Sequence, residues 1–223
     1  MSSDLSFGLT PQNSLFDYYN DTESDPVETL TRAWMNERNA PELLPYMKNI
    51  IDALIEQIEE QTAFVMDEMS SSIENKFISM LYQTEVERVR YLIKSYLRTR
   101  LFKIEKYTLE LLRKPDMDSL MSPQEIVYAR RYQELVEVHN HESFLSHLPV
   151  AQHRQDETVG DLKMVVSANL EAPVFCQVLE NIGEINWEIN NRMETTELEK
   201  GEIYIIRYRA IKTYLEQGRI RLI

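Results

Sequence analysis

All four histidines of this 223-residue chain fall in one 15-residue stretch, at His139, His141, His147 and His153. Clustered imidazoles are common zinc ligands, so this stretch is the first place to look for chemistry. Its spacing argues against a metal. On a helix, i and i+2 side chains point to different faces, and His147 and His153 straddle a proline-marked helix end. No H-E-x-x-H pair and no Cys-x-x-Cys accompanies them, so surface or interface histidines are expected. Cys176 is the single cysteine. It excludes an intramolecular disulfide, fits a reducing compartment and reads as a small buried hydrophobe in a strand rather than a nucleophile. The five glycines form neither G-x-x-x-x-G-K-[ST] nor G-x-G-x-x-G, and no G-x-S-x-G occurs. Carboxylates crowd one helix face at Asp52, Glu56, Glu59, Glu60, Asp67 and Glu68, without the glycine-containing loop of a calcium site. A solvated face, or one meeting a basic partner, accounts for them. No catalytic residue, cofactor or metal ligand is assigned, and the chain reads as a non-enzyme.

The residues that demand an explanation are cations in a long helix. No Gly or Pro interrupts Ile73 to Arg113, and as a helix those positions extend about 60 Å. Apolar residues recur on one face at Val86, Val89, Ile93, Leu97, Ile104, Tyr107 and Leu111, and Arg100 falls among them. A second stripe carries Tyr91, Arg98 and Phe102. Guanidinium groups in such stripes either take carboxylate and carbonyl partners or snorkel to water, and periodicity leaves both open. A helix this long, apolar on several sides, is not easily covered by its own domain.

The surrounding elements follow from caps and prolines. Residues 1–24 are polar, acidic and aperiodic and read as a flexible arm, with an aromatic cluster at Leu15–Tyr19 that has the make-up of a docking peptide. Asp25, Pro26 and Glu28 give the N-cap, N1 and N3 pattern of a helix that carries Trp34 and Met35 and stops before Ala40-Pro41. A second helix begins near Pro45, Ser70–Ser72 break it, and Ser72 caps the long helix. Ser122, Pro123 and Glu125 repeat the capping pattern and open a fourth helix towards Leu148. Residues 149–161 read as a linker. Beyond it, Leu162–Ser167, Val174–Leu179, Ile185–Ile189, Ile203–Ile206 and Arg219–Ile223 read as short strands, with one helix from about Arg207 to before Gly218. The fold class is α+β: a helical domain of about four helices over 25–148, one very long, then a small β-rich domain over 162–223. The second domain is too small for much core of its own and needs a surface to dock on.

The charge is uneven. Residues 1–70 hold 3 basic and 14 acidic side chains, a net −11, whereas 71–115 hold 10 and 5, a net +5, within a whole-chain charge of −13. An acidic body disfavours sequence-independent nucleic-acid binding, although the face from Arg88 to Lys106 keeps a nucleic-acid-binding module as the alternative. The acidic start lacks a signal-peptide pattern and no apolar run is long enough to span a membrane, so a soluble intracellular protein is expected.

The runs RAWMNERNAPELL (32–44), ERVRYLIKSYLRTRLFKIEK (87–106) and LEKGEIYIIRYRAIKTYLEQGRIRLI (198–223) resemble the fourth subunit of the eukaryotic GINS complex, an SLD-five-type subunit. The resemblance implies a helical A domain followed by a β-rich B domain, and a non-enzymatic scaffold subunit of a nuclear heterotetramer. That complex joins the MCM hexamer and its cell-division-cycle partner in the replicative helicase, at initiation and elongation. The partners implied are the three other GINS subunits, with DNA contact at most indirect and no membrane. Carried onto this chain, the resemblance makes Arg88, Tyr91, Tyr96, Arg98, Arg100, Lys103 and Lys106 candidates for the helical core and subunit interface. Trp34 and Met35 pack against that core, and the strand ending in Ile220, Leu222 and Ile223 docks on the tetramer.

Overall fold

Asp25 acts as a helix cap. Its carboxylate accepts the Val27 N–H at 3.0 Å, Pro26 takes the first helical position, and α1 runs Pro26–Asn39 until Ala40 turns extended before Pro41. Glu28 pairs with Arg32 at 3.5 Å rather than closing a capping box. The structure, a computed structural model, describes residues 25–68, 73–160, 162–189 and 192–223. The expected arm at 1–24, its Leu15–Tyr19 cluster and the Ser70–Ser72 break with its Ser72 cap lie outside the described residues.

Helix α2 spans Lys48–Glu68 and α3 spans Ile73–Lys106. Their apolar faces meet α1 in one cluster built from Leu30, Ile51, Leu54, Ile58, Val86, Val89, Leu92, Ile93 and Tyr96. The sequence predicts an unbroken helix to Arg113, but Tyr107 leaves helical angles (φ −116°, ψ 22°) and a separate α4 covers Thr108–Arg113. The Thr108 hydroxyl lies 2.6 Å from the Ile104 carbonyl and 3.0 Å from that of Glu105, and such back-bonding bends helices. A short α5 (Met117–Leu120) occupies the expected loop, and α6 runs Pro123–Ser143. The α6 capping box is complete: Ser122 Oγ accepts the Glu125 N–H at 3.2 Å and Glu125 Oε2 accepts the Ser122 N–H at 2.9 Å. Helix α6 ends five residues before the expected Leu148, because the chain tightens into a 3₁₀ turn, Leu145–His147, that buries Leu145. A second cluster joins Ile104, Tyr107, Leu111, Met121 and Ala129 to Leu43.

The β-rich part begins with the hairpin of β1 (Thr158–Val159) and β2 (Leu162–Lys163). Then come β3 (Pro173–Val178), β4 (Gly183–Ile189), β5 (Arg192–Leu198), β6 (Ile203–Arg207), α7 (Tyr208–Glu216) and β7 (Ile220–Leu222). Strands β6, β3 and β7 form an antiparallel sheet in that order, and β4 pairs with β5 alone. Alternation along β3 turns Val174, Cys176 and Val178 inward, against Ile211 and Leu215 of α7 and Ile220 and Leu222 of β7. Ala40, from the end of α1, completes this cluster. The segment 40–47 thus enters all three clusters, since Tyr46 and Met47 pack on the α1–α3 group. Among the described residues, no helix is long and apolar enough to cross a membrane.

Candidate assembly interface

The inner face of α3 carries charge into the protein. Arg100 is 0% exposed and every guanidinium nitrogen is occupied. Its Nε and Nη2 grip the two Glu125 oxygens at 2.8 and 3.1 Å, Nη1 reaches Glu37 Oε2 at 3.1 Å and the Leu44 carbonyl at 2.6 Å, and Nη2 also donates to the Leu120 carbonyl at 2.8 Å. The rings of Tyr46 and Tyr96 lie 5.3 and 5.6 Å from the guanidinium carbon. One turn on, Lys103 Nζ donates to Glu37 Oε1 at 2.8 Å, to the Glu42 carbonyl at 2.7 Å and to the Glu37 carbonyl. Glu42 in turn accepts the Tyr208 hydroxyl at 2.9 Å and pairs with Lys212 at 2.7 Å, which ties α7 to the helical part. Three carboxylates thus face three cations, the condition under which charge can be buried.

Burial works against the Arg100 charge, but the Glu125 bonds and the fields of Tyr96, Glu125 and Glu37 outweigh it and raise its pKa. For Lys103 burial dominates over the pull of Glu37 and lowers the pKa. Burial also pushes the Tyr96 hydroxyl up to about 12 and the Cys176 thiol up to about 11, and raises Tyr208, whose hydroxyl donates to Glu42. In each of these three groups the unfolded chain ionises first as pH rises, so the folded state binds more protons and stability falls. These three groups therefore add no slope between about pH 6 and 8 and lower stability from about pH 9 to 11, where the free thiol and phenol titrate, opposed in part by Lys103, whose lowered pKa has the reverse sign. Urea titrations across that range check it, and Cys176 should resist alkylation at pH 8 until the chain unfolds.

Among the described residues, none covers the outer side chains of α3. Tyr91 and Phe102 are 59% and 65% exposed, and Arg98 is exposed between them. Towards the start of α3, Phe77, Met80 and Leu81 are exposed one turn apart, beside exposed Ile78, and Phe64 of α2 meets Tyr82 edge to face at 6.4 Å. Val127, Leu135 and Val138 are exposed on α6.

The residues singled out in the sequence divide into two groups. Tyr96, Arg100 and Lys103 are buried inside this chain, and Tyr96 accepts the Met47 N–H at 3.3 Å. Trp34 packs, half-buried, on the α1–α3 cluster. Met35 lines a groove of about 270 Å³ with Arg221, Leu222 and Ile223. Ile220 and Leu222 are core residues of the β-rich part, whereas Ile223 is exposed. Arg88 is exposed and bonded to Glu85, whose carboxyl it holds below the usual carboxylate value. Lys106 is exposed and lies over the Tyr107 ring at 5.2 Å. Sequence reasoning missed Glu37 and Glu42. The signal for them was indirect: cations in an apolar stripe require acids, and both acids sit in the run that follows Trp34.

The histidines lie where α6 meets the segment after it. His141 and His153 meet edge to face at 5.9 Å, beside a cleft of about 520 Å³ that Arg113, Glu137 and Asp156 also line. Among the described residues, no group of three or more His, Cys, Asp or Glu side chains is placed to hold a metal ion.

Comparison with known proteins agrees with this architecture in both parts. A family profile described as the GINS complex protein helical bundle domain matches residues 50–143, and one described as the C-terminus of DNA replication complex GINS protein SLD5 matches residues 169–223. The chain is 36% identical over 203 residues to the Schizosaccharomyces pombe DNA replication complex GINS protein sld5, covering 91% of this chain and 94% of the relative. It is 35% identical over 212 residues to the SLD5 protein of Arabidopsis thaliana, covering 93% and 95%. With that of Bos taurus it shares 32% over 210 residues, 91% of each. The chain belongs to the SLD5 family of GINS complex subunits.

Proposed function

We propose that this chain is a non-enzymatic scaffold of a nuclear four-chain GINS complex, and that the complex joins the MCM hexamer and its cell-division-cycle partner in the replicative helicase. The observation that carries the reading is the outward face of the α2–α3 pair. Arg100 and Lys103 turn inward to their acids, while Phe77, Met80, Leu81, Tyr91 and Phe102 stay exposed. Apolar side chains repeated along one long helix mark a surface that another protein covers. Arg98 and Arg88 border it, and with Tyr96, Arg100 and Lys103 holding α3 rigid from behind, the face is pre-shaped for a partner helix. Trp34 and Met35 support α3 from the α1 side, and Ile223 offers a contact from the β-rich part. The division into 25–148 and 162–223 then separates a helical half that carries this face from a β-rich half that docks on the tetramer through its last strand.

The nucleic-acid reading draws little support. Arg88 and Arg90 are bonded to Glu85 and Glu87, and Arg100 and Lys103 are buried, so few of the basic residues between Arg88 and Lys106 remain for phosphates.

The test is co-expression with the three other GINS subunits. Phe77→Asp with Leu81→Asp is expected to weaken incorporation about 100-fold or more, as for hot-spot residues, while circular dichroism of the chain is unchanged. Wild-type chain alone should self-associate on a sizing column. A monodisperse wild-type monomer, or a double variant that still co-purifies in full yield, refutes the assembly role of this face.

A further inference from the structure

The three-stranded sheet has two edges, and they are finished differently. At the β7 edge the Leu222 N–H donates to Asn36 Oδ1 of α1 at 2.8 Å, which closes it against the helical part. The β6 edge has no neighbouring strand among the described residues. Two bonds fix the phase of the β3–β6 ladder: the Tyr208 N–H to the Ala172 carbonyl at 3.0 Å, and the Val178 N–H to the Glu202 carbonyl at 3.1 Å. Hydrogen-bonded and non-bonded pairs alternate in an antiparallel ladder, so Tyr204 and Ile206 bond to β3. The N–H and C=O groups of Ile203, Ile205 and Arg207 therefore point away from it.

The same three residues place their side chains on the outer face of the sheet. Ile203 and Ile205 are 57% and 62% exposed. Ile205 lies opposite exposed Phe175 in the register, and the Ile223 N–H bonds the Phe175 carbonyl at 3.1 Å, so three apolar residues form a row across the sheet. Open edges are normally blunted by lysine, proline or a bulge. The run Ile203-Tyr204-Ile205-Ile206 has none of these before Arg207.

We propose that β6 is a docking strand: an extended segment of an acidic partner protein adds to its open edge, with two apolar side chains beside Ile203 and Ile205 and a carboxylate beside Arg207. Charge selects this occupant. Among the described residues, one acid, Glu171, pairs with both Arg207 at 3.2 Å and Arg209 at 2.9 Å, which leaves an excess positive charge at that end of the strand. Exposed Arg221 adds another on the same face. A second copy of the chain fits poorly, because two-fold pairing centred on Ile205 sets Arg207 against Ile203. Main-chain bonds to the edge supply affinity and the alternate side chains supply selectivity.

The test uses the full-length chain and a fluorescein-labelled peptide, Ser-Asp-Thr-Val-Thr-Val-Thr, read by anisotropy. Saturable binding is expected, together with slowed amide exchange at Ile203 and Ile205. Ile205→Lys should weaken binding about tenfold or more with an unchanged melting temperature, since its side chain is exposed. Arg207→Glu should invert the preference between this peptide and one with lysine in place of the aspartate. Equal binding of a scrambled peptide, equal binding to Ile205→Lys, or no saturable binding overturns the proposal. A homodimer of the chain that Ile205→Lys dissolves overturns it as well, by giving the edge to a second copy.

Discussion

Arg100→Ala is expected to lower the unfolding free energy of the chain by about 3–5 kcal/mol, the range for breaking a buried ion pair from one side. The guanidinium holds Glu125, Glu37 and the carbonyls of Leu44 and Leu120 together. Its removal leaves Glu125 with the Ser122 N–H, and Glu37 with Lys103 and the Leu44 N–H, in a buried site. Part of the cost is the void left by a large side chain, and part is carboxylate charge stripped of its counter-charge. Arg100→Lys keeps the charge but not the planar fork, and should fall between the two. Urea denaturation of the three proteins at neutral pH measures this. A loss under about 1 kcal/mol, the size typical of an exposed pair, would show that the network contributes nothing beyond surface charge.

Leu222→Ala should cost about 2–5 kcal/mol, whereas Ile223→Ala should change stability by no more than about 0.5 kcal/mol. The two neighbours differ in environment. Leu222 is 1% exposed among Cys176, Ile211 and Ile220, and Ile223 looks outward from the sheet. Because Cys176 shares that cluster, thiol labelling during denaturation reports directly on the loss. A Leu222→Ala protein as stable as the wild type would mean that the last strand is held by partners rather than by its own core.

Much of the helical part was legible because its signals are local. Asp25, Ser122, Pro26 and Pro123 fix where α1 and α6 begin, and the 3.6-residue period identifies the face of α3 that turns inward. The partners of Arg100 were not legible in the same way. Glu37 lies 63 positions before it and Glu125 lies 25 after it, so no spacing rule links them. Tyr91 and Phe102 of the second stripe are as apolar as Tyr96, yet only contacts with the rest of the chain decide which of them is covered. In the β-rich part, strand β5 was missed because Glu194, Thr195, Thr196 and Glu197 give no apolar alternation, and β5 is held by pairing with β4. The short strand β2 fell at the start of a predicted longer one. The bond from Tyr208 to Glu42 joins residues 166 positions apart, and only the folded chain reveals it.

The segment 40–47 has no helix or strand, yet Ala40, Leu43 and Met47 belong to three different cores and Glu42 reaches Tyr208. Connecting loops are ordinarily where chains tolerate insertions and where proteases cut first. Here that expectation is reversed. Opening these eight residues uncouples all three cores at once, so the Leu44 and Met47 amides, which donate to Glu37 and Tyr96, should exchange only as fast as the whole protein unfolds. A single inserted residue there would do more harm than one at the exposed start of α3. The point where the three cores meet is a stretch that a secondary-structure diagram draws as a plain line.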